Sequence, residues 1–168
     1  MRAHLFTART MYQADTGYSI IKITKFNQKL EHLQLLIARL QKFECIRYKY
    51  LHVSVENDEL TIERERIEGQ AVDMFFEYTP KMERALSSLI TSYRLACDTF
   101  DDQGFGFLTT DYKELSNVMV DQDGVMQLID FEDSFVVTQN RALFNQYWDV
   151  AQQHSDLEMQ RFVLLSKL

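Results

Sequence analysis

The sequence predicts an α+β protein in two lobes, a small antiparallel sheet with one helix followed by a shortened, mostly helical part. Three observations predict it. Strand-like runs and one helix-periodic stretch follow one another as β-β-α-β-β up to Gly69. Beyond Gly69 apolar residues recur mainly at helical spacing. A single hairpin pattern, from Asn117 to Asp130, interrupts that helical part. The expected boundaries are 1–69 for the first lobe and 70–168 for the second. With 46% hydrophobic residues, a chain of 168 residues can bury a proper core.

In the first lobe, "AHLFTARTMYQ" and "YSIIKIT" read as strands around an Asp15-Thr16-Gly17 turn. In "NQKLEHLQLLIARLQKF" the residues Leu30, Leu33, Ile37 and Leu40 fall at helical spacing, and Leu36 widens the stripe. Asn27 is the expected N-cap. "IRYKYLHVSVENDELTIERERIEG" gives two more strands around the turn cluster Glu56-Asn57-Asp58. Gly69 and the polar residues after it form the joint.

In the second lobe a helix starts at Thr79-Pro80, with Thr79 as N-cap and Pro80 at the first helical position. Leu86, Leu89, Ile90 and Tyr93 mark its buried face, and it ends before Asp101. A short strand "FGFL" precedes Asp111. Two helical segments close the chain, "RALFNQYWDVAQQH" and "DLEMQRFVLLSKL", the last with a Ser155/Glu158 capping box. Phe144, Tyr147 and Trp148 belong to an amphipathic core face.

Charge and composition narrow the function classes. A net charge of −7 argues against a phosphate-backbone footprint, so nucleic acid is not an expected partner. A small anion held by one or two lysines stays open. The two cysteines have no Cys-x-x-Cys spacing, and the four histidines are scattered, so neither a disulfide framework nor a zinc site is expected. No apolar run nears the roughly 18 residues of a membrane span, and the N-terminal residues lack a secretory h-region. A cytoplasmic protein is the expectation. Asp121-Gln122-Asp123-Gly124 lacks the later ligands of a calcium loop and reads as a turn.

The hairpin "NVMVDQDGVMQLIDFED" poses the functional question. Its polar ends either cap the strands or hold something between them. With Gln122-Asp123 as a tight loop, Val120 pairs with Val125 and Asn117 lies opposite Leu128. Asp130 then shares a face with Asn117, at roughly 7–8 Å along the diagonal. A carboxylate and a carboxamide oxygen converging there suit a hard divalent cation that completes its shell with phosphate and water. A one-residue bulge at Gly124 breaks this parity.

This segment resembles the metal-binding segment of the protein-kinase-like superfamily, which also contains small-molecule kinases such as the aminoglycoside and choline kinases. In that family an Asn opens a β-hairpin and the Asp of an Asp-Phe-Gly or Asp-Phe-Glu motif closes it. The resemblance implies that Asn117 and Asp130 hold Mg²⁺ on the phosphates of ATP. Glu132 stands where the glycine is often found. Upstream, "TTDYKELSN" resembles the family's catalytic loop through Asp111 and Lys113, which makes Asp111 the expected general base. Thr109 stands in place of the frequent His, and the loop is one residue longer. "YSIIKIT" resembles the strand that carries the phosphate-binding lysine, here Lys22, and the helix after it offers Glu31 as its partner. "LTIERERIEG" resembles the strand and hinge between the kinase lobes, which puts the backbone from Glu65 to Ile67 on the adenine edge.

Two family features are missing. Gly17 is the first glycine, so no Gly-rich loop precedes Lys22, and no Ala-Pro-Glu-like segment follows Asp130. The resemblance implies a miniature kinase-like fold with ATP and Mg²⁺ as cofactors, transferring phosphate to a hydroxyl of a protein or small molecule. The alternative is a pseudokinase, a protein-binding regulatory module without transfer.

Overall fold

The structure is a computed structural model that describes residues 9–13, 17–75, 77–109 and 115–165. Its mixed α+β architecture contains small antiparallel sheets and, among the described residues, three α-helices. The chain divides into two compact units. One comprises Met1–Leu35 with Tyr48–Ile67, and the other Leu36–Arg47 with Glu68–Leu168. The division differs from the expected 1–69 and 70–168 at residues 36–47, which group with the second unit, and at Glu68 and Gly69, which do so too.

The first unit is a four-stranded sheet of order β1-β2-β4-β3. Its strands are β1 (Arg9–Gln13), β2 (Tyr18–Ile23), β3 (Tyr50–Glu56) and β4 (Glu59–Glu65). Alternation in β2 and β4 turns Ser19, Ile21, Ile23, Leu60, Ile62 and Arg64 to the buried face. Arg64 is buried there because its guanidinium lies over the Tyr48 ring, 4.9 Å from the centroid. Asn57 and Asp58 both take positive φ, 50° and 60°, which makes the β3–β4 connection a mirror-image tight turn matched to strand twist. The β3–β4 pairing is irregular between Tyr50 and His52.

Helix α1 (Leu30–Lys42) begins three residues after Asn27, so Asn27 is not its N-cap. The Lys29 carbonyl accepts the first helical bonds instead. Leu33, Leu36, Ile37 and Leu40 are buried as their spacing predicts, while Leu30, at the start of the helix, is only half-buried. At its end Cys45 N–H donates to Leu40 O and Glu44 N–H to Gln41 O, a Schellman closure with Glu44 in the left-handed region.

Residues 36–47 group with the second unit for reasons visible in their bonds. Both Nη atoms of Arg39 donate to Phe105 O at 3.3 Å, with the guanidinium over the Phe107 ring. Cys45 O accepts from Leu128 N, and Arg47 N–H donates to the Gln127 side chain. The unit further contains β5 (Gln70–Ala71), α2 (Pro80–Asp98), β6 (Gly106–Thr109), β7 (Val118–Val120), β8 (Met126–Leu128), β9 (Phe135–Thr138) and α3 (Arg141–Leu165). β5, β7 and β8 form one sheet, β6 and β9 another. β5 and β9 are too short to stand out in the sequence and exist through pairing with distant strands.

Thr79 caps α2 by accepting from Met82 N–H, and Pro80 opens the helix, as expected. The expected apolar face is buried. Tyr93 stacks edge-on against Trp148, which adjoins Phe144, so the aromatic face of α3 is core. The C-terminal residues form one helix rather than two. Asn140 caps it through its side chain to Leu143 N–H. Ser155, expected as a cap, is fully buried inside that helix. A short local signal yields here to the continuous stripe Phe144, Trp148, Ala151 and Ser155 that the core covers.

Candidate metal and nucleotide site

The hairpin register differs from the expected one by one residue. Val118 pairs with Leu128 and Val120 with Met126, so Asn117 stands across from Ile129, whose N–H it accepts at 3.0 Å. The cause is the turn. Asp121 Oδ1 accepts from both Asp123 N–H and Val125 N–H at 2.9 Å, Asp121 O accepts from Gly124 N–H, and Gly124 has φ 80°. This is a three-residue loop with a left-handed glycine, and it adds the residue that breaks the expected parity. The same Asp-x-x-Gly turn recurs at Asp101, where Oδ1 accepts from Gln103 and Phe105 and Gly104 has φ 80°. That repeated signal, visible in the sequence, was the one that could have set the register.

By strict alternation the corrected register puts Asn117 and Asp130 on opposite faces. Alternation ends before Asp130, however. Asp130 has φ 62°, so the backbone turns left-handed immediately after Ile129. Asn117, which ends a short 3₁₀ turn (Leu115–Asn117), and Asp130 are both half-buried. They stay backbone neighbours through the Ile129–Asn117 bond. Phe131 and Glu132 behind Asp130 are wholly buried, and Ser134 closes the turn through N–H and hydroxyl bonds to Phe131 O. The burial of Glu132 has no sequence signal; an acidic residue in a polar stretch reads as exposed.

A carboxylate and a carboxamide oxygen are hard donors, and their chemistry fits Mg²⁺. Among the described residues no group of three or more acidic, imidazole or thiol side chains is placed to hold an ion alone. Two protein oxygens suit a cation that takes the rest of its shell from phosphate and water.

In the first unit, Lys22 lies on the half-exposed face of β2 and pairs with Glu59 at 3.3 Å. The partner expected from the sequence, Glu31, sits in the first turn of α1 with its side chain exposed. Glu59 wins because Lys22 stands opposite Thr61 in the β2–β4 ladder, which makes Glu59 its diagonal neighbour. The strands of that ladder are not consecutive in sequence, so the pair could not be read locally. Glu65 and Ile67 are half-buried at the end of the same sheet. Glu65 is committed there: its N–H donates to Lys49 O, and its carboxylate accepts from Lys49 N–H. Arg66 N–H donates to Gly17 O. Asp111 and Lys113 lie outside the described residues.

The second unit also holds a cavity of about 270 Å³ between the end of α1, α2 and the hairpin tip, lined by Phe43, Arg47, Ser88, Ser92 and Val125 among others. None of the residues expected to bind metal or nucleotide lines it. No described helix is long and apolar enough to cross a membrane. Compared with known proteins, the chain matches no family model and no curated protein.

Proposed function

We propose that the chain is an ATP- and Mg²⁺-dependent phosphotransferase with a two-lobed kinase-like fold, acting on a hydroxyl of a protein or a small molecule. The observation that carries this reading is the closed end of the hairpin. Asn117 and Ile129 are hydrogen-bonded, and the next residue, Asp130, is a non-glycine residue held at φ 62°. Such backbone states cost free energy and concentrate at ligand clamps and active sites.

Asp130 offers its carboxylate and Asn117 its carboxamide oxygen to the cation. A Mg²⁺ held there would neutralise the phosphate charge that develops during transfer. Asp111 takes the proton of the acceptor hydroxyl, and Lys113, two residues on, places a positive charge beside the transferred group. Lys22 serves the nucleotide phosphates, exchanging Glu59 for them. Its present ion pair is half-exposed, and such pairs contribute about 0–1 kcal/mol, so phosphate can displace it. The Glu65–Ile67 backbone meets the adenine edge, and Glu31 can meet Lys22 only once Glu59 has released it.

That same Lys22–Glu59 pair, with no Gly-rich loop ahead of it, favours the second reading, a pseudokinase that acts as a protein-binding module. Labelled ATP with Mg²⁺ or Mn²⁺ separates the two. Transfer or ATP hydrolysis should fall to background in Asp130→Ala and by about 10²-fold or more in Asp111→Asn. Activity no higher in the wild type than in Asp130→Ala removes the phosphotransferase and leaves the binding module.

A further inference from the structure

We propose that α3 is a self-association surface on which a second copy of this chain docks, parallel and in register. Three exposed apolar side chains stand on one line of that helix: Leu143, Val150 and Leu157, at 48%, 64% and 65% exposure. Their spacing is seven residues throughout, and the helix they lie on is 25 residues long. The opposite face of α3 already packs its own core through Phe144, Trp148, Ala151 and Ser155, so the helix carries two distinct stripes. A strict seven-residue repeat is the signature of a seam that meets another helix.

The residues between the apolar positions identify the occupant. Gln146, Gln153 and Gln160, all exposed, fall three residues after each of the three. In a parallel pair in register every layer is homotypic: leucine meets leucine, valine meets valine, and each glutamine amide meets its own copy. A carboxamide carries both donors and an acceptor, so two copies satisfy each other reciprocally. A partner with apolar residues at those layers would leave the amides unpaired at the seam.

Charge sets the orientation. Asp149 and Asp156 flank the seam on one side, and His154 flanks it on the other. An antiparallel pair sets the aspartate flank against its own copy, which repels. A parallel pair sets each aspartate flank against the flank that carries His154, away from its own copy. Three apolar side chains cover much less than the roughly 800 Å² per partner of a standard interface, so dissociation in the range of about 10–100 μM is expected.

Sedimentation equilibrium from about 1 to 300 μM brackets that range. The wild type should pass from monomer to dimer, and Val150→Glu, at an exposed site that leaves the core intact, should raise the dissociation constant at least about tenfold. Val150→Cys tests the register, because in this arrangement residue 150 meets its own counterpart. It should form a disulfide-linked dimer on oxidation, and Asn145→Cys, off the seam, should not. A wild type that stays monomeric at the highest concentration overturns the proposal. So does a dimer unaffected by Val150→Glu, or one in which residue 150 cross-links no better than residue 145.

Discussion

Asp130 and Glu44 both hold a carboxylate-bearing residue at positive φ, and they do so for different reasons. Glu44 is the left-handed residue after α1, where the Schellman bonds demand that conformation and glycine is the usual occupant. Replacing it with glycine relieves the Cβ clash and loses some of the gain to the freer unfolded chain. Glu44→Gly should therefore raise stability by about 0.5–1 kcal/mol, seen as a higher urea midpoint at unchanged slope. Asp130 closes no helix; it follows Ile129, whose N–H donates to Asn117 O. Ser155 presents a third case. Its hydroxyl is fully buried with no hydrogen-bond partner among the described residues. Ser155→Ala should stabilise by about 1 kcal/mol, through relief of desolvation and better helix propensity, which thermal unfolding would register.

At the scale of elements, what was legible is what is local. Thr79-Pro80 announces α2 because cap and first turn are neighbours in sequence, and the bond to Met82 N–H follows. Thr79→Ala should cost about 1 kcal/mol in denaturant unfolding. The hairpin itself was legible, but its register turned on whether Asp123 or Gly124 closes the loop. The left-handed Gly124 decides that, together with Asp121 Oδ1, which accepts from the N–H groups two and four residues after it, Asp123 and Val125. α3 was misread as two helices because Ser155-x-x-Glu158 has the form of a cap while the core runs through it. Gly69, read only as a joint, proves to be a close approach. It has φ 134°, and a Cβ there would collide with the Val120 carbonyl beside β5 and β7. Gly69→Ala should lower stability by about 2–4 kcal/mol, a cost that ordinary loop substitutions do not carry.

For the whole molecule, the α+β class and the β-β-α-β-β order before Gly69 were legible, while the grouping of residues 36–47 was not, because it depends on bonds to Phe105, Gln127 and Leu128 far along the chain. Buried acids also give the molecule an alkaline limit. Burial pushes the Cys45 thiol from 9.0 up to about 12 and the Cys97 thiol well upward. Burial, then the charge of Glu83, pushes the Tyr78 phenol from 10.0 up to about 12. The folded chain keeps these protons where the unfolded chain loses them. Their contribution is complete below about pH 9 and declines from there to about pH 12. Melting temperature should hold up to about pH 9 and fall beyond it, less steeply in Cys97→Ala once its own cavity cost is subtracted.

The pairing of Asn117 with Asp130 around a metal-bound nucleotide is tested most directly by the melting temperature with ATP·Mg²⁺, compared with ATP plus EDTA, for wild type and Asp130→Asn. Millimolar ATP·Mg²⁺ on a micromolar site should add about 4 kcal/mol to the wild type, and little either without the metal or in the variant. An equal melting temperature in all four samples, or a shift that survives both EDTA and Asp130→Asn, would contradict a metal-dependent nucleotide site at the end of this hairpin.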